Sequence, residues 1–258
     1  MVPTLTNPRV AALYRHPVKG LSAERLAAVE LMAGETLPMD RAFALENGPS
    51  GFDPAAPAWK PKIKFLCLMK NARIAALSTR YDDATGVFTV ARDGRVIVVA
   101  RLHDAGGRAA IERCLQDYMG EEARGAIRVL HAPGHSFSDL ARKVVSIINL
   151  ESIATLERAL TDKVHPLRFR GNVYVEGMPA WSEAGLVGRT LKIGSVRLRV
   201  VKPIPRCAAT EVDPETAERD IDVPDALYRL TGEDDCGIYA EVIDAGKIAE
   251  GDPVVILD

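Results

Sequence analysis

The chain has 258 residues, and its 33 Lys and Arg against 35 Asp and Glu give a formal net charge of −2. This length allows one large domain or two small domains, either of them able to bury a core. So small a net charge gives no reason to expect nucleic acid or an anionic membrane as a partner, although it is compatible with a local basic pocket.

The sequence carries no recognisable membrane or targeting signal. No stretch of about 18 apolar residues is present, and residues 1–6 lack the charged-then-apolar pattern of a secretory signal. We therefore predict a cytoplasmic protein without a membrane partner. The four cysteines, at positions 67, 114, 207 and 236, lie far apart and form no Cys-x-x-Cys pair. Their spacing argues against a zinc ribbon, a thioredoxin-type motif and an iron–sulfur cluster.

The first half of the chain reads as short strands. Strands are predicted at 10–14, 41–45, 74–77, 87–91 and 96–100, and the Asp93-Gly94 pair between the last two is typical of a hairpin turn. Residues 47–61 are rich in Gly and Pro and predict a long loop that lines or covers a site. Apolar residues that recur at spacings of three and four positions predict one amphipathic helix over 109–119, with Cys114 on its buried face.

Two cationic positions in this half are candidates for anion binding. Lys19-Gly20 opens a loop, in which Gly20 permits close backbone approach to a ligand and Lys19 supplies a charge for a phosphate; the alternative is a solvated lysine in a turn. Arg41 follows Asp40 at the predicted start of a strand. It forms either a surface ion pair or an anion fork directed at the same pocket as Lys19.

The turn cluster at 132–136 is the predicted boundary between two domains, 1–130 and 131–258. Beyond it the pattern predicts strands at 144–148, 173–175, 191–193, 196–201, 238–243 and 254–257, and helices at 152–160 and 224–230, with Asn149 as the cap of the first helix. Arg170 and Asn172, on either side of a glycine at a strand entrance, offer a guanidinium fork and an amide that suit a phosphate or a pterin edge.

Cys207 is the candidate for chemistry. Alternation over 196–201 predicts a half-buried strand, and Pro203 and Pro205 then predict a stiff extended loop that presents the thiol. Arg206 beside it is expected to lower the pKa of the thiol and favour the thiolate, the form that binds metals. The alternative is that Cys207 is a small buried apolar residue. Cys236 has no cation near it in the sequence and is predicted to be structural.

These motifs resemble a known family. Phe-Arg-Gly-Asn-Val-Tyr-Val at 169–175, Gly-Arg-Thr-Leu-Lys-Ile-Gly at 188–194 and Pro-Arg-Cys at 205–207 resemble the MOSC domain, named for the C-terminal part of molybdenum cofactor sulfurases. Tyr-Arg-His-Pro-Val-Lys-Gly-Leu-Ser at 14–22 and Asp-Arg-Ala-Phe-Ala-Leu at 40–45 look like the N-terminal β-barrel domain that often precedes it. The resemblance implies a mainly β fold with peripheral helices, in which a closed MOSC-type β-barrel is paired with a smaller N-terminal β domain.

The resemblance also implies a molybdenum cofactor, that is, molybdopterin carrying the metal, in the cleft between the domains. Cys207 would be the thiolate ligand of molybdenum and the catalytic residue. The positions that match those around the cofactor in the related amidoxime-reducing proteins are Lys19, Gly20, Arg41, Arg170, Asn172, Arg206 and Cys207. Gly20 and Pro205 stand where those relatives have serines, and Arg142 and Lys143 are candidates to compensate.

Three functions remain open at this point. The first is an oxidoreductase that reduces N-hydroxylated substrates (hydroxylamines, amidoximes or N-hydroxy nucleobases) with electrons from a separate ferredoxin- or flavodoxin-type donor, since no Gly-x-Gly-x-x-Gly follows any strand. The second is a carrier of the cofactor, or of its sulfur as a persulfide on Cys207. The third is a structural β domain in which Cys207 is incidental. No pyridoxal phosphate domain is expected.

Overall fold

The computed structural model describes residues 7–257, so residues 1–6, on which the prediction about a secretory signal rests, lie outside the described residues. The strands are β1 (Arg9–Arg15), β2 (Glu24–Leu26), β3 (Ala28–Leu31), β4 (Phe43–Asn47), β5 (Leu77–Asp82), β6 (Val87–Arg92), β7 (Arg95–Arg101), β8 (Ile127–His131), β9 (Val145–Asn149), β10 (Val173–Glu176), β11 (Thr190–Ile193), β12 (Val196–Pro205), β13 (Asp235–Asp244), β14 (Gly246–Ala249) and β15 (Val254–Ile256). The α-helices are α1 (Ala105–Met119), α2 (Leu150–Leu160) and α3 (Val223–Thr231).

One large curled sheet forms the main core. Its strand order is β15-β11-β12-β13-β9-β10-β1-β2, and of these neighbours only β9 and β10 run parallel. The predicted alternation in β12 is confirmed, because Val196, Leu198 and Val200 are buried while the arginines between them are exposed. Their apolar face packs on residues of β1, β9, β10 and β13 in one hydrophobic cluster.

The predicted closed barrel is wrong for this structure. Within residues 7–257 the edge strands β2 and β15 are not paired with each other, so the eight-stranded ladder stays open. The first strand approaches the start of β15 through a bridge between Arg9 and Pro253, which is flanked by backbone hydrogen bonds from Val10 N to Asp252 O and from Val254 N to Pro8 O.

Two smaller sheets and α1 build a second core. The sheets are the pair β4–β8 and the meander β5-β6-β7, whereas the pair β3–β14 packs with the large sheet in the main core. The hairpin prediction at Asp93-Gly94 is confirmed: both residues have positive φ, 52° and 73°, as the favoured two-residue hairpin turn requires. The helix prediction for 109–119 is confirmed within α1, although Cys114 is only half-buried and Ile111, Leu115 and Met119 are the fully buried residues.

One predicted strand of this region is wrong. Residues Ala72–Ala76 form a 3₁₀-helix, and β5 begins only at Leu77. A short apolar run does not distinguish a buried strand from a buried helical turn by periodicity, and here Ile74 is fully buried in that turn. In the same part of the molecule the predicted loop at 47–61 is confirmed as irregular structure beyond the end of β4.

The two halves of the chain share their sheets. The first strand, β1, pairs with β10, so β1 and β2 complete a sheet built otherwise from residues after 144, and β3 forms a separate two-stranded sheet with β14. The division at residue 130 therefore stays a prediction about domains and does not describe a boundary between sheets. Within residues 7–257, no helix combines the length and apolarity needed to cross a lipid bilayer.

Asn149 joins α2 to the loop that follows β10. Its side-chain oxygen accepts a hydrogen bond from Glu151 N at 3.1 Å, which confirms the predicted cap. Its amide nitrogen donates to Pro179 O at 2.9 Å and to Glu183 Oε2 at 2.8 Å. Glu183 is itself 3 % exposed, so Asn149 satisfies a buried carboxylate as well as a helix end.

We expect Asn149→Ala to lower the free energy of unfolding by about 3 kcal/mol, because it removes the cap and leaves a buried carboxylate without one of its donors. Arg158→Ala, at an exposed position of the same helix, should cost about 0.5 kcal/mol or less. Urea unfolding of both variants measures the difference. Equal losses would show that Asn149 contributes no more than an ordinary surface residue.

Candidate functional site

A cleft opens where the end of β12 meets turns from both halves of the chain. The structure brings together in its wall all seven residues singled out from the sequence: Lys19, Gly20, Arg41, Arg170, Asn172, Arg206 and Cys207. Two residues that the sequence analysis did not identify, Lys62 and Asp139, line the same cleft. Proximity alone does not assign a role, so the contacts of each side chain decide what it can do.

The prolines before Cys207 lie in the strand and not, as predicted, in a loop beyond it. Pro203 is paired with Ile238 and Pro205 with Asp235, and the ladder register shifts at both places. The other neighbour of β12, β11, pairs only with residues up to Arg199, so this end of β12 has a free side on which proline needs no donor. Cys207 follows two residues after the strand, as expected, and is half-buried.

The cation in contact with the thiol is Lys62. Its Nζ lies 3.1 Å from Cys207 Sγ and 3.3 Å from Asp139 Oδ2. Burial lowers the pKa of this ammonium, but the Asp139 carboxylate and the Cys207 sulfur more than offset burial and raise the pKa above its usual value. Lys62 directly follows the loop predicted to line the site, but nothing in the local sequence distinguishes it from the neighbouring solvated lysines.

Arg206 does not take the predicted place beside the thiol. Its Nε donates to Cys236 O at 2.8 Å and its Nη1 to Phe169 O at 2.9 Å, while the guanidinium lies 5.2 Å from the centre of the Phe169 ring. Arg206 therefore ties the end of β12 to β13 and to the segment before β10. The prediction that Cys236 has no cation nearby is also wrong, although burial raises the pKa of its thiol to about 12 and the residue is structural in its packing.

Lys19 is buried and is not the solvated turn lysine of the alternative interpretation. Its Nζ donates to Phe137 O at 2.9 Å and forms an ion pair with Asp139. Partial desolvation raises the pKa of the Asp139 carboxyl, but the ammonium groups of Lys19 and Lys62 outweigh it and hold that pKa well below its usual range. Asp139 thus remains charged and holds two lysines at the mouth of the cleft.

Arg41 and Asp40 form a buried pair, so the interpretation as a surface ion pair is wrong. The side chain of Asp40 is 4 % exposed and that of Arg41 16 % exposed. Arg41 donates to Asp40 through Nη1 and to Arg170 O through Nη2 at 2.8 Å. It precedes β4 in a turn with a positive φ of 51°, and this turn directs the guanidinium across to the segment before β10.

Arg170 is a cation in the cleft wall that has no carboxylate partner among the described residues. It lies at positive φ, 50°, after the 3₁₀-helix Pro166–Phe169, and its Nη2 donates to Leu21 O at 2.9 Å. Among residues 7–257 no carboxylate lies within ion-pairing distance of it. Burial, and next the charge of Arg41, lower its pKa to about 10. An uncompensated guanidinium in a recessed cleft is a strong anion-binding group.

Gly20 and Asn172 line the cleft for reasons of packing. A Cβ at Gly20, whose φ is 85°, would lie 2.9 Å from both Ile74 Cδ1 and Leu66 O, so the missing side chain makes room for the protein interior and not, as predicted, for a ligand. The amide oxygen of Asn172 accepts from Ser146 N and Oγ, and its nitrogen donates to Tyr14 O at 3.2 Å. Asn172 therefore joins β1, β9 and β10 behind the site.

Arg142 and Lys143 do not compensate for the missing serines. Arg142 pairs with Glu241 and Lys143 pairs with Glu35. Neither of these two residues lines the cleft. Arg168, in contrast, lines it and is 2 % exposed. Its ion pairs with Asp213 and Asp220, at 2.7 and 2.6 Å, hold in place the loop that follows Cys207.

Both parts of the chain match known families. Residues 132–255 match the family described as MOSC domain, and residues 7–122 match the MOSC N-terminal beta barrel domain. The chain is a MOSC domain protein. The resemblance stated from the sequence motifs is thereby confirmed for nearly its full length.

Similar curated proteins carry the name mitochondrial amidoxime reducing component 2. The protein from Bos taurus is 34 % identical over 122 residues, which cover 43 % of this chain and 36 % of the relative. The protein from Homo sapiens is 35 % identical over 115 residues, covering 40 % of this chain and 34 % of the relative. The match thus spans about a third of the length of these relatives.

Two solved structures match this MOSC domain protein at low TM-scores. The YUAD protein from Bacillus subtilis has a TM-score of 0.46 at 13 % identity, with 96 % of this chain and 94 % of that chain covered. YiiM from Geobacillus stearothermophilus has a TM-score of 0.36 at 20 % identity, with 44 % of this chain and 54 % of that chain covered.

His16 beneath the cleft makes stability depend on pH. It is fully buried, and its Nδ1 lies 3.5 Å from Asp40 Oδ1. Burial, with the charges of Arg170 and Arg41, outweighs the effect of that carboxylate and lowers the pKa of His16 to about 3. The unfolded chain binds a proton at His16 below about pH 6.5 and the folded chain does not, so stability falls as pH drops through that value.

Between pH 6 and pH 5 we expect the wild type to lose about 1 kcal/mol of its unfolding free energy through His16, and His16→Gln should not show this loss. Most unfolded carboxyl groups titrate below this window. Denaturant unfolding at the two pH values measures the slope of the unfolding free energy against pH. The wild type measured at the same two pH values gives the reference slope. An NMR titration that shows the His16 ring protonated at pH 5 in the folded protein would contradict the assignment.

Proposed function

We propose that this MOSC domain protein binds a molybdenum cofactor in the cleft and reduces N-hydroxylated substrates there. The observation that carries the proposal is a half-buried thiol, Cys207, in a cleft with an excess of positive charge. Lys19, Lys62, Arg41 and Arg170 face only two carboxylates in its wall, Asp40 and Asp139. The family match and the similarity to amidoxime reducing components support the same interpretation.

The residues fit such a cofactor chemically. Molybdenum takes soft sulfur ligands, and the pterin carries a phosphate, so its protein needs a thiolate and cationic forks. Cys207 would supply the thiolate. Arg170 would supply the anion contact, because it has one backbone hydrogen bond and no carboxylate partner among the described residues. When bound, the cofactor supplies two-electron redox chemistry at the metal.

The side chains around the thiol have separate roles in the proposed reaction. Reduction of R–NHOH to R–NH₂ and water consumes two electrons and two protons. Lys62 holds a proton 3.1 Å from Cys207 Sγ and, with 28 % of its side chain exposed, exchanges it with solvent. Asp139 orients that ammonium, and Lys19, Arg41 and Arg170 bind the negative charges of the cofactor.

A carrier protein is the second candidate. The cleft that exposes Cys207 also suits a protein that holds the cofactor, or its sulfur as a persulfide, and passes it to a recipient enzyme. The proposed reductase needs a separate electron donor of the ferredoxin or flavodoxin type, whereas the carrier needs a recipient and no electrons. This difference allows the two to be separated experimentally.

Arg170→Ala should lower affinity for the cofactor by about one to two decades, because a charge-assisted contact is lost. Molybdenum and pterin content after dialysis measures the loss. Arg142→Ala, which removes an arginine from a surface ion pair outside the cleft, should retain full content.

Arg170→Ala should also leave cofactor-free protein folded, with a loss of stability no larger than about 1 kcal/mol, since it removes one hydrogen bond to Leu21 O and no ion pair. A larger loss of stability together with full molybdenum content would show that Arg170 is structural and that the anion contact is wrongly assigned.

Cys207→Ser should abolish reduction of hydroxylamine by cofactor-loaded protein with reduced viologen as donor, because a soft ligand is replaced by a hard, protonated one. The visible spectrum of the metal should change while part of the pterin stays bound through Arg170 and Lys19. If the wild type shows no turnover with excess viologen but activates a recipient molybdoenzyme, the carrier function is correct. Undiminished turnover in Cys207→Ser would refute both roles of this residue.

A further inference from the structure

The distribution of charge is strongly uneven next to the cleft. From Pro54 to Tyr81 the sequence contains six Lys or Arg and no Asp or Glu, in a chain whose formal net charge is −2. Two of these cations pair with carboxylates from elsewhere, Lys62 with Asp139 and Arg73 with Glu122. Lys60 and Lys64 have no ion pair within the described part of the chain. The segment therefore presents a positive field to solvent.

The lysine loop, defined here as residues 59–64, lies at the mouth of the cleft. Its central residue, Lys62, reaches Cys207 Sγ with a contact of 3.1 Å, so the loop backbone lies about one lysine side chain from the thiol. The loop is fixed at a second point, because the Arg124 guanidinium donates to Ile63 O and adds another cation beside it. Anything that docks on this loop comes close to the site.

The same loop exposes large apolar side chains. Trp59 is 42 % exposed and Ile63 is 41 % exposed, and both lie among the lysines. Exposed aromatic residues surrounded by charge are typical of binding surfaces, where Trp is enriched among the residues that contribute most energy. These six residues therefore combine a position beside the cleft, two exposed apolar side chains and positive charge.

We propose that the lysine loop is the docking surface for an electron-carrier protein whose redox group is surrounded by acidic residues. The inference rests on the proposed reductase function, which needs two electrons per turnover from a reduced one-electron carrier acting twice, with the two protons taken from solvent. A positive surface steers an acidic carrier to the mouth of the cleft and brings its redox group near Cys207. Trp59 supplies the apolar anchor that holds the encounter complex.

The test is binding of a ferredoxin of net negative charge to the full-length, cofactor-loaded protein, measured by calorimetry at low and moderate salt. We expect the double variant K60E/K64E to bind at least tenfold more weakly and to lose most of the salt dependence. Trp59→Ala should weaken binding by a similar factor without changing the salt dependence. Neither lysine changed here contacts the thiol or the cleft carboxylates.

The matched control is K163E/K192E, which reverses two exposed lysines outside the loop. It should bind like the wild type. Equal weakening in both double variants, or no binding of the ferredoxin to the wild type, would overturn the proposal. Binding of a single-stranded oligonucleotide that K60E/K64E abolishes, without ferredoxin binding, would overturn it in favour of a nucleic-acid surface.

Turnover separates this inference from the proposed function. With reduced ferredoxin, K60E/K64E should lose at least tenfold in rate, while its turnover with reduced viologen stays at the wild-type level. If the wild type binds ferredoxin through the loop but shows no turnover with viologen, the reductase proposal fails and the docking surface stands. If turnover with viologen is normal and K60E/K64E uses ferredoxin as well as the wild type does, the docking surface is wrong and the reductase stands.

Discussion

The arrangement of the cleft depends on how its closely spaced positive charges are offset. Lys19, Lys62, Arg41 and Arg170 lie in one recess, and their mutual repulsion must be offset in the folded state. Asp139 offsets the two lysines and Asp40 offsets Arg41, and both carboxyl groups have pKa values held below the usual range by these cations. Arg170 has no carboxylate partner among the described residues, and burial, with the charge of Arg41, lowers its pKa to about 10. A site with this imbalance gains stability when it binds an anion.

The backbone arrangement that creates this recess comes from local strain tolerated by the surrounding sheets. Arg41 and Arg170 both adopt positive φ, which costs a non-glycine residue about 1 kcal/mol or more. In return the Arg41 guanidinium reaches the Arg170 carbonyl, and Arg170 reaches the carbonyl of Leu21. These contacts cross between the two matched family regions and hold their turns against each other.

Hydrogen bonds and ion pairs fix the segments around Cys207. Arg206 fixes the end of β12 through carbonyls of Cys236 and Phe169, and Arg168 fixes the loop that follows Cys207. Asn172 ties together the three strands behind the cleft. By contrast, Lys62 enters from an exposed loop. Fixed walls, with Lys62 on an exposed loop, are compatible with the proposed cofactor site.

The sequence by itself determined the local elements and the family. Interactions between near neighbours in the chain produce the alternation in β12, the Asp93-Gly94 turn and the Asn149 cap. Local sequence patterns are therefore enough to predict these three features. The motifs at 14–22, 40–45, 169–175 and 205–207 were enough to identify the MOSC resemblance and to name seven residues that line one cleft.

Only the tertiary structure decided what those residues touch. Lys62 and Cys207 are 145 positions apart, and Lys19 and Asp139 are 120 apart, so no spacing rule could connect either pair. Arg206 is adjacent to Cys207 in the chain, yet it turns to the Cys236 carbonyl because β13 lies beside the end of β12. The open edge of the large sheet and the unpaired charge of Arg170 likewise depend on contacts among segments distant in sequence, which local propensity does not encode.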